Sequence, residues 1–290
     1  MIAFLRRRPG LLPLLLLAPA IAWLVAFYVY PAIQMLQASL WSGTLETGFA
    51  FSWANAATYP EALGRYSDQF MRSILYAAVS TVVCLVLAFP LAYTIAYRAG
   101  RFRTLLLFIV IAPFFTSFLL RVLAWKTVLG DDGFLLGPLK SIGLLPEEFR
   151  VLATPIAVIF GISYNFFPFM VLPIYVSLEK IDRRLVEAAK DLYAGPVRAF
   201  QRITLPLALP GVFAGSLLVF IPAMGDFVNA ELLGSVQTRL IGNVIQSRFL
   251  VNNDYPTAAA LSFMLMAGIL AAVFIYARVL GTDELESGIG

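Results

Sequence analysis

The sequence contains no histidine, a single cysteine and few charged residues. Only 13% of its 290 residues are charged, whereas 60% are hydrophobic, and the mean hydropathy is +0.85. A soluble domain carries about twice that charged fraction on its wetted surface, so the composition excludes an ordinary soluble enzyme, a disordered protein and a nucleic-acid binder. Without histidine the commonest general base and the commonest metal ligand are missing, and Cys84 cannot form an internal disulfide. We therefore predict an integral membrane protein.

Long apolar runs recur along the chain. A membrane-crossing helix needs about 20 mostly apolar residues, because about 30 Å of hydrocarbon is crossed at about 1.5 Å per residue. Six runs meet this need if the third is allowed to contain Arg121. The predicted spans are Leu11–Ile33, Ser73–Tyr97, Thr104–Trp125, Val151–Leu178, Ile203–Gly225 and Tyr255–Ala277.

The first run also resembles a secretory signal peptide, with a basic start and a small-residue sequence at Ala18-Pro19-Ala20. The apolar run continues to Ile33, however, which is long enough to cross a membrane. We favour an uncleaved helix.

The positive charges predict an orientation. Cytoplasmic connections are enriched in lysine and arginine, and an N-terminus inside places thirteen of the 21 positive charges on the inner side. With six spans both termini lie inside. The inner charges are Arg6, Arg7, Arg8, Arg98, Arg101, Arg103, Lys180, Arg183, Arg184, Lys190, Arg198, Arg202 and Arg278.

The residues of a catalytic site are missing from the sequence. It contains no phosphate-binding Walker loop, no nucleophile elbow, no serine–histidine pair and no cluster of metal ligands. We predict no catalytic residue, no metal and no cofactor. If the chain transports actively, another subunit must bind ATP and supply the energy.

The predicted cytoplasmic segment between spans four and five carries an amphipathic pattern. Asp182 is placed to cap a helix, Gly195 to end it, and Pro196 to open the next helix. One apolar stripe at helical spacing is formed by Leu185, Ala188, Ala189 and Leu192. The stripe predicts either packing on the inner ends of its own spans or docking of a partner.

The same segment resembles the EAA signature of bacterial ABC importer permeases. That signature reads EAA, three residues, glycine, nine residues, isoleucine, one residue, leucine-proline. Glu187-Ala188-Ala189 and Ile203-x-Leu205-Pro206 match it at the expected spacing, but Tyr193 occupies the glycine position. This departure predicts a helix break that is shifted or differently shaped.

Further motifs resemble the spermidine/putrescine group of these permeases, in particular the B-type subunit. They are Pro113 to Arg121 with Ala124-Trp125, Leu240 to Phe249, and Phe89 to Tyr93. The resemblance implies an all-α membrane protein with six transmembrane helices in the type I importer permease fold (MetI-like). It implies one domain over residues 1–290, with a core at about 69–280, an extra N-terminal helix at 11–37 and a coupling segment at 179–204.

The resemblance also implies partners and a location. The partners are a second, C-type permease subunit, a cytoplasmic ATPase homodimer that binds ATP, a periplasmic solute-binding protein and the lipid bilayer of the bacterial inner membrane. In this family the coupling segment docks on the ATPase. The residues assigned to coupling are Glu187, Ala188, Ala189, Asp191, Leu192, Tyr193, Gly195, Ile203, Leu205 and Pro206.

A few polar residues within or beside the spans are candidates for a cargo pathway, because charges in a membrane usually face the bundle interior or a cavity. We predict that Asp226 and Glu231 create a negative potential in the outer half of the pathway, which attracts a polycation. Alternatively, one of them pairs with Arg121, or both lie in an outer loop. Tyr164 and Asn165 suit an ammonium group through cation–π contact and hydrogen bonds, or they simply pack in the bundle.

Three functions stay open from the sequence. The first is a permease subunit for a polyamine such as spermidine or putrescine. The second is a related permease for another solute, such as an amino-acid derivative, a phosphonate or ferric ion. The third, a self-sufficient channel or carrier, is disfavoured because the spans hold almost no ionisable residues for a proton relay and show no inverted repeat.

Overall fold

The computed structural model describes residues 11–44 and 46–280, which are mostly helical. Its helices are α1 (Leu11–Leu24), α2 (Tyr30–Ser39), α3 (Thr58–Tyr97), α4 (Arg103–Ile111), α5 (Phe118–Val128), α6 (Leu136–Ser141), α7 (Pro155–Lys180), α8 (Arg183–Asp191), α9 (Pro196–Ala199), α10 (Leu205–Met224), α11 (Val228–Leu233), α12 (Ile241–Gln246) and α13 (Tyr255–Leu280).

The described residues contain five helices long and apolar enough to cross a membrane, or six if one sharply bent pair counts as a span. The first candidate is Leu16–Ser39, and its apolar window is exposed throughout. The predicted fourth, fifth and sixth spans are confirmed within a few residues by α7, α10 and α13. The chain is a multi-pass membrane protein.

The third predicted span is not one straight helix. Gly100–Phe115 and Phe118–Val128 meet at an angle of 95°. Thr116 and Ser117 between them have ψ angles of 153° and 136°, which are extended rather than helical. A short 3₁₀ turn that contains Pro113 precedes them, and proline cannot continue the hydrogen-bond ladder of a helix. The break therefore turns Arg121 away from the axis of α4.

Two short strands are an exception within the mostly helical fold that the sequence predicts. Strands β1 (Trp41–Thr44) and β2 (Gly48–Phe51) form an antiparallel hairpin. Gly43 has a φ of +116°, and a Cβ there would lie 2.0 Å from the carbonyl oxygen of Gly48, so only glycine fits this turn. Phe49 packs between Trp41 and Tyr255. The hairpin is thus fixed by aromatic contacts and by a glycine.

The chain divides into two compact units. Among the described residues, one contains residues 11–44 and 46–65 together with Ile245–Met264, and the other contains Tyr66–Val244 and residues 265–280. The first unit holds the hairpin and an ion pair between Arg248 and Asp254 at 3.3 Å. The second unit holds α4 to α11 and most of the buried core.

The core of the second unit is centred on the packing of α7 against α10, its most extensive helix pair. Small residues permit the close approach of these helices. A Cβ at Gly211 would lie 2.5 Å from the carbonyl oxygen of Pro173, and one at Gly215 would lie 2.9 Å from the sulfur of Met170. The backbones can approach this closely because both positions are glycine.

Candidate functional site

The coupling segment begins with a capped helix. The Asp182 carboxylate accepts a hydrogen bond from the backbone N–H of Arg184 at 3.0 Å, which confirms the predicted cap. Helix α8 then runs to Asp191, and a second helix, α9, opens at Pro196 as predicted. Glu187, Ala188 and Asp191 are exposed and Ala189 is half-buried.

Apolar side chains of the segment face solvent. Leu192 is 82% exposed, Tyr193 97% and Val197 65%, and nearly half of Leu185 is exposed as well. The predicted stripe is therefore only partly covered by this chain's own helices. Exposed apolar side chains that lie together indicate a surface on which another protein docks.

The break between α8 and α9 lies at Tyr193 rather than at Gly195. Tyr193 has a φ of +58°, the left-handed conformation that favours glycine. The N–H of Ala194 then bonds the carbonyl of Ala189 at 2.9 Å, which closes the helix end. Gly195 instead caps the start of α9 with extended backbone, where its carbonyl accepts from Ala199 at 3.0 Å. The tyrosine thus occupies the signature's glycine position with a glycine-like backbone.

This geometry predicts that Tyr193→Gly stabilises the protein slightly. Removing the side chain relieves the left-handed strain, which is worth on the order of 0.5–1 kcal/mol. Ala194→Gly, one residue on and without a positive φ, is the control and should destabilise. Thermal unfolding in detergent measures both, and a lower melting temperature for Tyr193→Gly would contradict the account of this turn.

The segment is joined to the membrane helices by contacts that the sequence did not predict. Arg103, at the start of α4, forms an ion pair with Glu179 at the end of α7. The Arg103 guanidinium also lies 5.0 Å from the centre of the Tyr175 ring. The contact holds the helix that enters the coupling segment against its neighbour.

A second contact joins the coupling segment to α3 through Phe200. Its ring packs edge-on against Phe89 at 5.7 Å and Tyr93 at 6.0 Å between ring centres, and both partners belong to α3. Phe200 opens a π-helical turn that extends to Thr204 and includes Ile203. Leu205 and Pro206 follow as the first residues of α10. Because this turn is wider than an α-turn, it leaves space for the Pro206 ring beside the preceding carbonyls.

The predicted cargo-pathway residues lie in three different places. Asp226 and Asn165 belong to a buried hydrogen-bond network, Glu231 is exposed, and Arg121 and Tyr164 line a cavity beside α7. Within the described part of the chain, Arg121 forms no ion pair with Asp226 or Glu231.

The buried network is centred on Asn229, which is fully buried. Its backbone N–H and its side-chain amide each donate to one oxygen of Asp226, both at 2.8 Å. Its side-chain oxygen accepts from Asn165 at 3.1 Å, and Asn165 also donates to the carbonyl of Gly161 at 2.9 Å. Burial raises the pKa of Asp226, just beyond the end of α10, to about 6 despite these hydrogen bonds.

Glu231 lies at the edge of a second polar cluster. Asn243 donates to a carboxylate oxygen of Glu231 at 3.1 Å and to the carbonyl of Phe227 at 2.9 Å. The Asn243 side-chain oxygen accepts from the N–H of Leu240 at 3.1 Å. Asp226 and Glu231 thus have different polar partners, Asn229 and Asn243, which the sequence did not predict.

Comparison with known proteins identifies the family. Residues 88–280 match the model of the binding-protein-dependent transport system inner membrane component. The chain belongs to this family. Members of the family are transport proteins, so this chain is a transport permease subunit and not an enzyme.

Relatives within this transport family cover nearly the whole chain. The spermidine/putrescine transport system permease protein PotB of Haemophilus influenzae is 38% identical over 258 residues, 89% of this chain and 90% of the relative. PotB of Escherichia coli is 37% identical over 269 residues, 92% of this chain and 98% of the relative.

A solved structure shows the same fold. The crystal structure of a bacterial alginate ABC transporter in complex with an alginate pentasaccharide-bound periplasmic protein contains a chain with a TM-score of 0.68. The match covers 97% of this chain and 98% of that chain at 22% identity. The chain therefore has the fold of ABC importer permeases.

Proposed function

We propose that this chain is the permease subunit of an ATP-driven importer for polyamines such as spermidine and putrescine. The observation that carries the proposal is the coupling segment, whose apolar side chains are exposed beside the membrane helices. The extensive identity to spermidine/putrescine permeases supports the cargo class. A related permease for another solute is not favoured by these relatives, and a self-sufficient carrier has no support among them.

The proposed assembly contains four kinds of partner. A second, C-type permease subunit completes the pathway, an ATPase homodimer docks on the coupling segment, a periplasmic binding protein delivers the cargo, and the bacterial inner membrane surrounds the bundle. The alginate transporter, which was crystallised with its periplasmic protein, supports the binding-protein partner. We propose six spans with both termini inside, in a single type I permease domain; Arg6, Arg7 and Arg8, which contribute to this orientation, lie outside the described residues.

Phe200 offers a mechanical route from the ATPase to the membrane helices. Closure of the ATPase dimer displaces the coupling segment around Glu187. Phe200 follows that movement and presses on Phe89 and Tyr93 in α3, on either side of Pro90. The displaced segment thus biases the balance between inward-open and outward-open packings of the bundle.

In the proposed pathway Glu231 attracts the cargo directly. Its exposed carboxylate contributes negative potential at the outer end of the fifth span, whereas buried Asp226 acts through the position of Asn229 and Asn165. Arg121 and Tyr164 line the separate cavity beside α7.

Copurification and stimulated ATP hydrolysis test the proposed function. The full chain, expressed with the other products of its operon, should copurify with a Walker-motif ATPase and a second permease. Hydrolysis should rise with binding protein loaded with spermidine or putrescine, and not with binding protein offered a phosphonate, an amino-acid derivative or ferric ion. Stimulation by one of these instead would contradict the cargo class, and absence of an ATPase partner would contradict the importer.

A further inference from the structure

A cavity of about 720 Å³ lies among α3, the end of α4, α5 and α7. We call it the α3–α7 cavity. Its walls are mainly aliphatic and aromatic, and they include Leu87, Ile109, Phe114 and Phe160. Arg121, Ser163 and Tyr164 contribute its polar groups. A space with one cation and many apolar walls fits an occupant that is apolar with one acidic group.

The Arg121 guanidinium has no acceptor within the described part of the chain. Its Nε and Nη1 atoms are buried without a hydrogen-bond partner. The rings of Phe114 and Phe118 lie 4.7 and 5.7 Å from the guanidinium carbon and give only cation–π contact. The Oγ atom of Ser163, a residue only 7% exposed, is also buried and unpartnered. Since an unpaired charge within a membrane is costly, an acceptor from outside the described part of this chain is expected here.

The position along α7 argues against a lipid phosphate as that acceptor. At about 1.5 Å per residue, the 26 residues of α7 extend about 39 Å. Ser163 lies about 12 Å from the Pro155 end and about 25 Å from the Lys180 end. If α7 crosses the hydrocarbon of about 30 Å centrally, Ser163 is several ångströms below its surface, whereas phosphates lie outside it. A side chain on a membrane helix reaches this depth.

We propose that the α3–α7 cavity receives an aspartate or glutamate carried on an apolar transmembrane helix of the second permease subunit. This inference rests on the proposed function, which supplies that subunit. Arg121 pairs with the carboxylate, Ser163 Oγ donates to its second oxygen, and the apolar walls cover the helix around it. A cationic cargo is excluded from this cavity by the same guanidinium. Arg121 and Tyr164 thus belong to a subunit interface.

Photocrosslinking tests the occupant without changing Arg121. A photoreactive phenylalanine placed at Leu87 or Ile109, both on the cavity wall and more than half exposed in this chain, should form adducts with the second permease subunit. The same photoreactive group at the exposed Phe274 on α13 is the control and measures nonspecific crosslinking. Adducts with lipid only, with a second copy of this chain, or with nothing would overturn the inference.

Charge reversal tests the ion pair. Arg121→Glu should lower recovery of the second permease subunit on the order of 100-fold, because breaking a buried ion pair leaves a charge unpaired, whereas Arg121→Lys should retain part of it. Lys126→Glu, an exposed position on the same helix, should have no effect. Changing one membrane-embedded acid of the second subunit to arginine should restore assembly with Arg121→Glu.

The outcomes separate this inference from the proposed function. If the wild-type chain recovers no second permease, the proposed function fails. If it does and Arg121→Glu recovers it equally, only the inference about the cavity fails. Yield of each variant in the membrane and its melting temperature without partners control for misfolding.

Discussion

Glu187→Lys should abolish most transport while leaving the protein in the membrane. Glu187 is exposed on α8, beside the exposed apolar side chains of the coupling segment. Reversing its charge at a docked surface creates mismatched contacts that cost several kcal/mol. Because 1.4 kcal/mol corresponds to a factor of about 10, ATP-driven uptake should fall by about tenfold or more.

Two further variants test the apolar part of the same surface. Leu192→Asp introduces a charge at a side chain that is 82% exposed, so it should not disturb the fold of this chain, yet a docked ATPase would bury that charge. Ala189→Asp places a charge within the stripe, at a half-buried position, and should act in the same direction. Uptake, recovered ATPase and membrane yield are measured for each.

Glu147→Lys is the matched control, because it makes the same charge change at an exposed residue outside the helices. It should transport as the wild type does. Normal uptake and normal ATPase recovery in both Glu187→Lys and Leu192→Asp would contradict the assignment of the docking surface.

The second large effect is expected from Asn229→Ala. The change leaves one oxygen of buried Asp226 and the amide of Asn165 without their partner. Loss of a buried hydrogen bond to a charged group costs about 1.5–3 kcal/mol. In a chain of 290 residues this corresponds to a fall in melting temperature of about 2.5–5 °C. Thermal unfolding in detergent measures the change.

This penalty should depend on pH, because the pKa of Asp226 is raised from 3.8 to about 6 in the folded protein. The folded state then binds the proton more tightly than the unfolded state does, so stability is highest at low pH and is lost as the pH rises from about 4 through about 6. The loss of stability caused by Asn229→Ala should be larger at pH 7.5 than at pH 5. At the higher pH Asp226 is ionised, and its carboxylate forms a stronger hydrogen bond with the Asn229 amide than the protonated acid does.

Asp226→Asn removes the titrating group and provides the complementary measurement. The melting temperature of Asp226→Asn minus that of the wild type should be higher at pH 7.5 than at pH 5. Asp132→Asn, at an exposed acid, is the control and should show no such difference. If Asp226→Asn differs from the wild type by the same melting temperature at both pH values, the account of Asp226 as a buried, titrating carboxyl is contradicted.

The sequence predicted features that depend on local composition and spacing. The lengths of the apolar runs predicted α7, α10 and α13. The helix-capping pattern correctly predicted that helices start at Asp182 and at Pro196. Such features are encoded within a few turns of one helix, so one sequence suffices to find them.

Features that depend on neighbours distant in sequence were not predictable. The 95° break after Phe115 lies inside a run that looks uniformly apolar, and only the extended backbone of two residues marks it. Asp226 looked like a pathway acid, but its burial depends on Asn229 and Asn165. The contact of Phe200 with α3 joins residues more than 100 positions apart. Tyr193 showed that a left-handed turn can be kept without glycine.

Uptake into proteoliposomes tests the central claim most directly. Labelled spermidine is offered with the periplasmic binding protein to vesicles that contain either this chain alone or the complete complex, with ATP enclosed. We predict concentrative uptake by the complex and none by the chain alone, because this chain contains no nucleotide-binding motif. Uphill accumulation by the chain alone, or uptake by the complex that does not depend on ATP, would contradict the account.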